Sequence, residues 1–328
     1  MSDFVTLKEF ADRFGANGNK QYQQIIEQQS KTNKILQVMP FHECNDGQRD
    51  MATIRAALPE VAWRMINRGT KPVKTQVKQA SFTCGELEGY ADVDEKLLKQ
   101  NGNSNEWRLS ENAGIQESMN QKMATTFFYG DEKVNPAGFT GLSAYFYSKT
   151  HQEKIYADQI IDAGGTGNNL TSLWFVGFGN LSCYGIFPKG SNAGFNYEDM
   201  GKVEMRDANG GIFYGYRSKY NWSTGLAVRD PRFIVRVANI DITALTANDA
   251  DAFIEKLIRA YNQIENPDAV NLNIFCNRNV QTYLDILAAK KTNVRLGIDE
   301  FAGKKITHFY GVPILRSDAI VNTESAIV

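Results

Sequence analysis

The chain has 328 residues, 42% hydrophobic and 22% charged, enough for one large domain or two ordinary ones with a sizeable core. Lys plus Arg number 36 and Asp plus Glu 37, so no basic tail or acidic block advertises nucleic-acid or membrane binding, and near-neutrality permits dense packing of copies. Four scattered cysteines (Cys44, Cys84, Cys183, Cys276) lack C-x-x-C spacing, which argues against a zinc ribbon and for reduced thiols in a cytosolic product. "MSDFVTLKEF" lacks the apolar run of a signal peptide, and no stretch of about 18 apolar residues offers a membrane span.

Residues 1–45 read as an arm. Thr6 and Glu9 form a capping box for a helix carrying Leu7, Phe10, Ala11 and Phe14, ended by Gly15. A second short helix over residues 19–32 puts Tyr22, Ile25 and Ile26 on one side. Such an arm buries little against itself and is expected to lie on something else.

Residues 46–105 carry a segregated charge pattern. Arg64, Arg68, Lys71, Lys74 and Lys78 occur with no acid among them; Glu86, Glu88, Asp92, Asp94 and Glu95 follow with no base among them. Val73, Thr75 and Val77 alternate with Lys74 and Lys78 at strand period. One reading is a long hairpin whose opposite charges pair across its strands. The other is an arm that projects from the body and meets a neighbour of complementary charge.

A long helix is predicted next, capped by Ser110, with Glu111 at its positive end and Ile115, Met119, Met123 and Phe127 recurring every four residues. Gly130 stops it after roughly 30 Å. "FFYGDEKVNPAGFTGL", residues 127–142, then leaves the helix as an apolar, turn-rich segment without obvious chemistry. From 160 to 240, "LTSLWFVGFG", "LSCYGIFPKG", "GIFYGYRSKY" and "PRFIVRVANIDI" read as strands. The glycine cluster before them, "DAGGTGNNLTS", lacks the Gly-Lys-Ser/Thr ending of a phosphate loop.

In the last third, Asn248 or Asp249 caps a helix bearing Phe253, Ile254, Leu257, Ile258, Tyr261 and Ile264, which Pro267 ends. "VNLNIFC" is a buried strand, and Asn277 caps a helix with Val280, Tyr283, Leu284 and Leu287. "KKITHFYGVPILRSDAIV" is a final strand pair broken at Gly311 and Pro313. Strand–helix alternation points to a mixed sheet covered by two helices, an α+β fold.

Catalytic signatures do not emerge. His42, His151 and His308 have no motif around them, and no H-E-x-x-H, G-x-S-x-G, S-x-x-K or calcium loop occurs. No catalytic, cofactor or metal residue is assigned. Trp174, Tyr184, Tyr214, Tyr216 and Trp222 would suit a sugar platform but equally a core, which is the favoured reading.

"RAALPEVAWRMINRG", "GELEGYADVDEKLL", "FFYGDEKVNPAGFTGL", "DAGGTGNNLTSLWFVGFG", "YGIFPKGSNAGF", "NWSTGLAVRDPRFIVRVANIDI" and "HFYGVPILRSDAI", in this order from about Arg55 to Ile320, resemble the major capsid proteins of tailed double-stranded DNA bacteriophages, the short-tailed branch above all. The resemblance implies the Hong Kong 97-type fold. Residues 1–45 would be the N-terminal arm, 46–105 the extended β-loop, 106–240 the outer domain with its spine helix (Ser110–Tyr129) and long strands, and 241–328 the axial domain. The long-strand candidates precede the axial helices here, so a changed order of connection is expected. Residues 127–142 would be the turn from spine to outer domain, an apolar lid and contact surface.

The implied function is a virion shell subunit that forms hexamers and pentamers around double-stranded DNA. It would bind that DNA without sequence specificity, have no membrane association, and be assembled in the bacterial host cytoplasm. Implied partners are a separate scaffolding protein, a portal and a decoration protein. The inter-subunit candidates are Arg64, Arg68, Lys71, Lys74, Lys78, Glu86, Glu88, Asp92 and Asp94. The rival readings are an encapsulin-like compartment, an enzyme with an unrecognised site and a virion surface binder using the aromatics.

Overall fold

The computed structural model describes residues 33–57, 59–100, 104–207, 209–245, 250–290, 296–301 and 304–328. The two helices expected within residues 6–32 and the cap at Asn248 or Asp249 lie outside these. A short helix α1 (Ile35–Val38) and strand β1 (Phe41–Glu43) lead into strands β2 (Arg49–Ala57) and β3 (Gln76–Asp94), then helices α2 (Glu95–Gln100) and α3 (Ser104–Tyr129). Single turns α4 (Leu142–Tyr145) and α5 (Lys154–Ala157) precede β4 (Ile160–Asp162), β5 (Leu170–Phe178), β6 (Cys183–Phe187), β7 (Phe195–Arg206), β8 (Ile212–Val228) and β9 (Ile234–Asp241). The chain closes with α6 (Ala250–Gln263), β10 (Asn271–Cys276), α7 (Arg278–Ala289), β11 (Leu296–Phe301), β12 (Lys304–Phe309) and β13 (Val312–Arg316).

The centre of the molecule is β5. It pairs antiparallel with β9 on one side and β10 on the other, and β10 continues parallel to β13. Every residue of β5 is buried. Leu173 and Phe175 join one apolar cluster with α6 and α7, while Trp174 and Val176 join another with the end of α3. A strand covered on both faces needs no polar alternation, which is why "LTSLWFVGF" reads as an unbroken apolar run. The sheet is continuous across residue 240, since β5 pairs with β9 on one edge and with β10 on the other.

A second group of strands extends from this body. β8 pairs with β6 through Gly225–Val228, with β3 along Gly215–Gly225, and with β7 along Ile212–Trp222. β3, 19 residues and about 60 Å long, leaves β8 at Cys84 and continues outward paired only with β2.

Helix α3 begins at Ser104, six residues before the expected cap, so Ser110 is interior. An interior serine costs only about 0.5 kcal/mol relative to alanine, too little to interrupt the helix there. Met119, Met123 and Phe127 are buried as the four-residue spacing requires. Asn277 caps α7, its side-chain oxygen accepting from the Val280 N–H at 2.9 Å. Pro313 does not break the final strands. It sits inside β13 opposite His308, and the break falls at Tyr310 and Gly311, both at positive φ.

The turn after α3 is set by backbone contact. Gly141 N–H donates to the Gly130 carbonyl at 2.9 Å, and a Cβ on Gly141 would lie 2.3 Å from the Thr126 oxygen. Phe127, Phe128, Phe139 and Leu142 all point into the core. The expectation that 127–142 is an apolar contact surface is therefore corrected. Its large side chains are core, and Val134 alone among its big aliphatics is strongly exposed.

Beneath this turn lies a buried ion pair. The Arg236 guanidinium donates to Glu324 at 2.8 Å, to Ser172 Oγ at 2.9 Å and to the Phe146 carbonyl at 2.7 Å. Glu324 also accepts from the hydroxyls of Tyr129 and Ser172. The C-terminal segment is thereby fastened to α3, β5 and β9, and Asn239 adds a two-way bond to Ile327.

Candidate assembly surface

The segregated charges of residues 64–95 have two different fates. The acidic half is answered inside the chain, by β8 and not by the bases of the same hairpin. Arg217 makes a bidentate bond to Asp92 (2.7 and 2.6 Å), Lys219 binds Glu88, and Asn221 donates to Glu86 at 3.0 Å. Asp94 accepts from the Lys96 N–H at 2.6 Å. The cause is register. β3 switches from β2 to β8 at Cys84, so every β3 acid after that point, Glu86 to Asp94, sits opposite a β8 residue. Salt bridges from Lys202 (2.7 Å) and Lys99 (2.6 Å) hold the Glu95 carboxyl down at about 2. Lys219 likewise lowers Glu88.

The basic half is left open. Every residue from Glu60 to Lys74 is exposed, with no regular structure apart from a turn in which Arg68 N–H donates to the Met65 carbonyl at 3.2 Å and Asn67 takes φ +64°. Arg68, Lys71 and Lys74 have no acidic partner among the described residues. Arg64 donates to the Arg68 carbonyl at 2.9 Å, whereas Lys78 reaches Glu153 on the body. Val61, Met65, Ile66 and Val73 are more than half exposed, and Trp63 is 102% exposed. A fully solvated tryptophan among aliphatic and cationic groups is the composition of a contact surface.

Nothing among the described residues resembles a catalytic centre. No group of three or more His, Cys, Asp or Glu is placed to hold a metal there. His42 stands edge-on to Tyr184, and His151 packs against Tyr147 and Tyr156. Trp174 and Tyr184 are core residues in separate clusters while Tyr214 faces solvent, so the aromatics make no common platform. A cleft of about 380 Å³ lies between α3, Gly85–Leu87 and the 134–139 turn. Its walls are mainly apolar side chains and backbone, with Lys122, Glu86 and Asp131 the charged groups among them.

Sequence reading missed β1, β2, β4, β7 and β11. β7 alternates Phe195 and Tyr197, then Val203 and Met205, with polar residues, but a register shift between Asp199 and Gly201 interrupts the period, and most of the strand is exposed along the edge of β8. No helix is long and apolar enough to cross a membrane among the described residues.

The whole architecture recurs in solved structures. A chain in the structure of bacteriophage Epsilon15 is similar at 32% identity and a TM-score of 0.79, covering 99% of this chain and 97% of that one. Lower similarity is found to the bacteriophage JBD30 capsid (10% identity, TM-score 0.49, 88% and 91% covered). The SrpI encapsulin of Synechococcus elongatus PCC 7942 is similar at 11% identity and a TM-score of 0.44 (73% and 98% covered). No curated protein matches the sequence. The fold is α+β of the Hong Kong 97 type. Residues 17–328 match the family model described as Major capsid protein GP7, and the chain belongs to that family of phage shell proteins, which are structural subunits and not enzymes.

Proposed function

We propose that this shell subunit is joined to its neighbours chiefly through the exposed 60–74 segment. The observation that carries this reading is the open tip: fifteen consecutive exposed residues holding Trp63 and four bases, in a chain whose acids at the root are already paired. Arg64, Arg68, Lys71 and Lys74 are the primary inter-subunit candidates. Lys78, Glu86, Glu88, Asp92 and Asp94 hold the arm to the body and meet neighbours second. Non-identical patches meeting head to tail generate rings, and rings of six and five close a shell. Each contact can be weak because many act together.

On this reading residues 1–45 are the N-terminal arm, 46–105 the extended loop, 106–240 the outer domain and 241–328 the axial domain. The pairing of β5 with β10 couples the last two. The shell encloses double-stranded DNA, held without sequence readout, in a virion built in the host cytoplasm. A separate scaffolding protein, a portal and a decoration protein complete the set of partners. The test is electron microscopy and salt titration of the purified chain, alone and with a scaffolding partner. Closed particles that the Lys71→Glu, Lys74→Glu variant fails to form, or forms with altered salt sensitivity, support the reading. Unchanged assembly and salt response in that variant overturn the role of the basic stripe.

A further inference from the structure

Cys44 and Cys84 lie 40 residues apart in sequence, yet their sulfurs are 3.4 Å apart. The fold brings them together for a clear reason. Cys44 directly follows β1, which is held parallel to β6 on the body, and its own N–H donates to the Phe187 carbonyl at 2.9 Å. Cys84 sits where β3 changes partner from β2 to β8, its N–H bonded to the Gln48 carbonyl at 3.0 Å. The pair thus stands at the root of the projecting arm. Cys44 is buried against Phe82, Tyr184 and Ile186, and Cys84 is half-buried. Cys183 and Cys276 are fully buried in other clusters.

We propose that Cys44 and Cys84 form an intrachain disulfide that locks the arm to the body when the shell leaves a reducing compartment. No residue of the lock belongs to the exposed tip, so it stands or falls independently of how the arm docks. The oxidant class is a small disulfide such as oxidised glutathione. The Cys84 thiolate attacks it, forming a mixed disulfide and releasing one glutathione thiol. Cys44 then gives up its proton and attacks the Cys84 sulfur, and the second glutathione leaves as a thiol. Two protein thiols are oxidised and one glutathione disulfide is reduced. A cytosol keeps such a pair reduced, whereas a virion surface lets it persist. Burial pushes both thiols above their ordinary range, so closure is slow near neutrality and faster in mild alkali. The closed loop would contain the whole arm, removing its freedom to detach while unfolding.

The experiment treats the reduced full chain with oxidised glutathione, then alkylates it under denaturant and maps peptides without reduction. The expected result is a peptide joining Cys44 to Cys84, abolished by dithiothreitol, with Cys183 and Cys276 alkylated as free thiols. The thermal midpoint of the oxidised protein rises by a few degrees, and this rise is absent in Cys84→Ser. Complete alkylation of Cys44 and Cys84 after prolonged oxidation, or a glutathione adduct that never resolves, overturns the proposal. So does a cross-link that leaves the midpoint unchanged. Because the mapping uses the unsubstituted chain, it does not depend on any variant folding.

Discussion

Residues 60–74 and 127–142 look alike on paper and end in opposite places. Both mix aromatic or large aliphatic residues with glycine and proline. In the second, Phe127, Phe128, Phe139 and Leu142 are at most 2% exposed; in the first, Trp63 is 102% exposed and Ile66 91%. The difference is what each can reach. Residues 127–142 fold back on the last turn of α3, where Gly130 and Gly141 permit backbone contact, and β5 and β10 supply Trp174 and Phe275 beside Phe128. Residues 60–74 carry a base every few positions, and burying those cations without partners would cost more than their apolar neighbours gain. The comparison teaches that an apolar segment becomes core only where its polar companions can stay wet or paired.

The largest effect is expected on the buried side. Glu324→Ala leaves the Arg236 charge, only 5% exposed, without its carboxylate and removes the acceptor for Tyr129 and Ser172. Breaking a buried pair by removing one partner costs about 3–5 kcal/mol. Chemical denaturation of the unassembled subunit should show that loss. A change below about 1 kcal/mol would mean the C-terminal segment is not fastened as described.

Trp63→Ala should do the reverse. The subunit's unfolding free energy should stay within about 0.5 kcal/mol of the parent, because the side chain touches solvent. Assembly should weaken by about 2 kcal/mol per contact, raising the protein concentration needed for particles roughly thirtyfold by light scattering. A destabilised subunit that still assembles normally would invert the comparison between the two segments.

How much of this was legible follows the same logic. The Met119–Met123–Phe127 stripe and the unbroken β5 run were readable because burial imposes a period or abolishes one. The Asn277 cap was readable because its chemistry is local. The partner of the acidic run was not. Glu88 and Asp92 are paired by residues more than 120 positions away, and nothing near them in sequence says that β3 abandons β2 at Cys84. The inward turn of 127–142 was hidden for a related reason. Its apolar content was visible, but the close approach of Gly141 to Thr126 that aims it is a tertiary fact. The proximity of Cys44 and Cys84 is equally non-local.

The smallest effect concerns acid, and it falls on the root of the arm. Lys202 and Lys99 hold Glu95 down to about 2, and Lys219 lowers Glu88; both carboxylates lie where the arm joins β7 and β8. A carboxyl with a depressed folded pKa contributes stability that is fully present above its ordinary value of 4.5 and is lost as pH falls through the folded value. The window of loosening therefore runs from about 4.5 down to about 2. Acid should thus slacken the root of the arm. Between about pH 5 and about pH 2.5, the thermal midpoint of the parent should fall further than that of the Lys202→Met, Lys219→Met variant, which has already lost the pairs of Glu95 with Lys202 and of Glu88 with Lys219. Equal falls would show that the ion pairs at the root are ornaments of the surface, and that the β3–β8 ladder alone holds the arm.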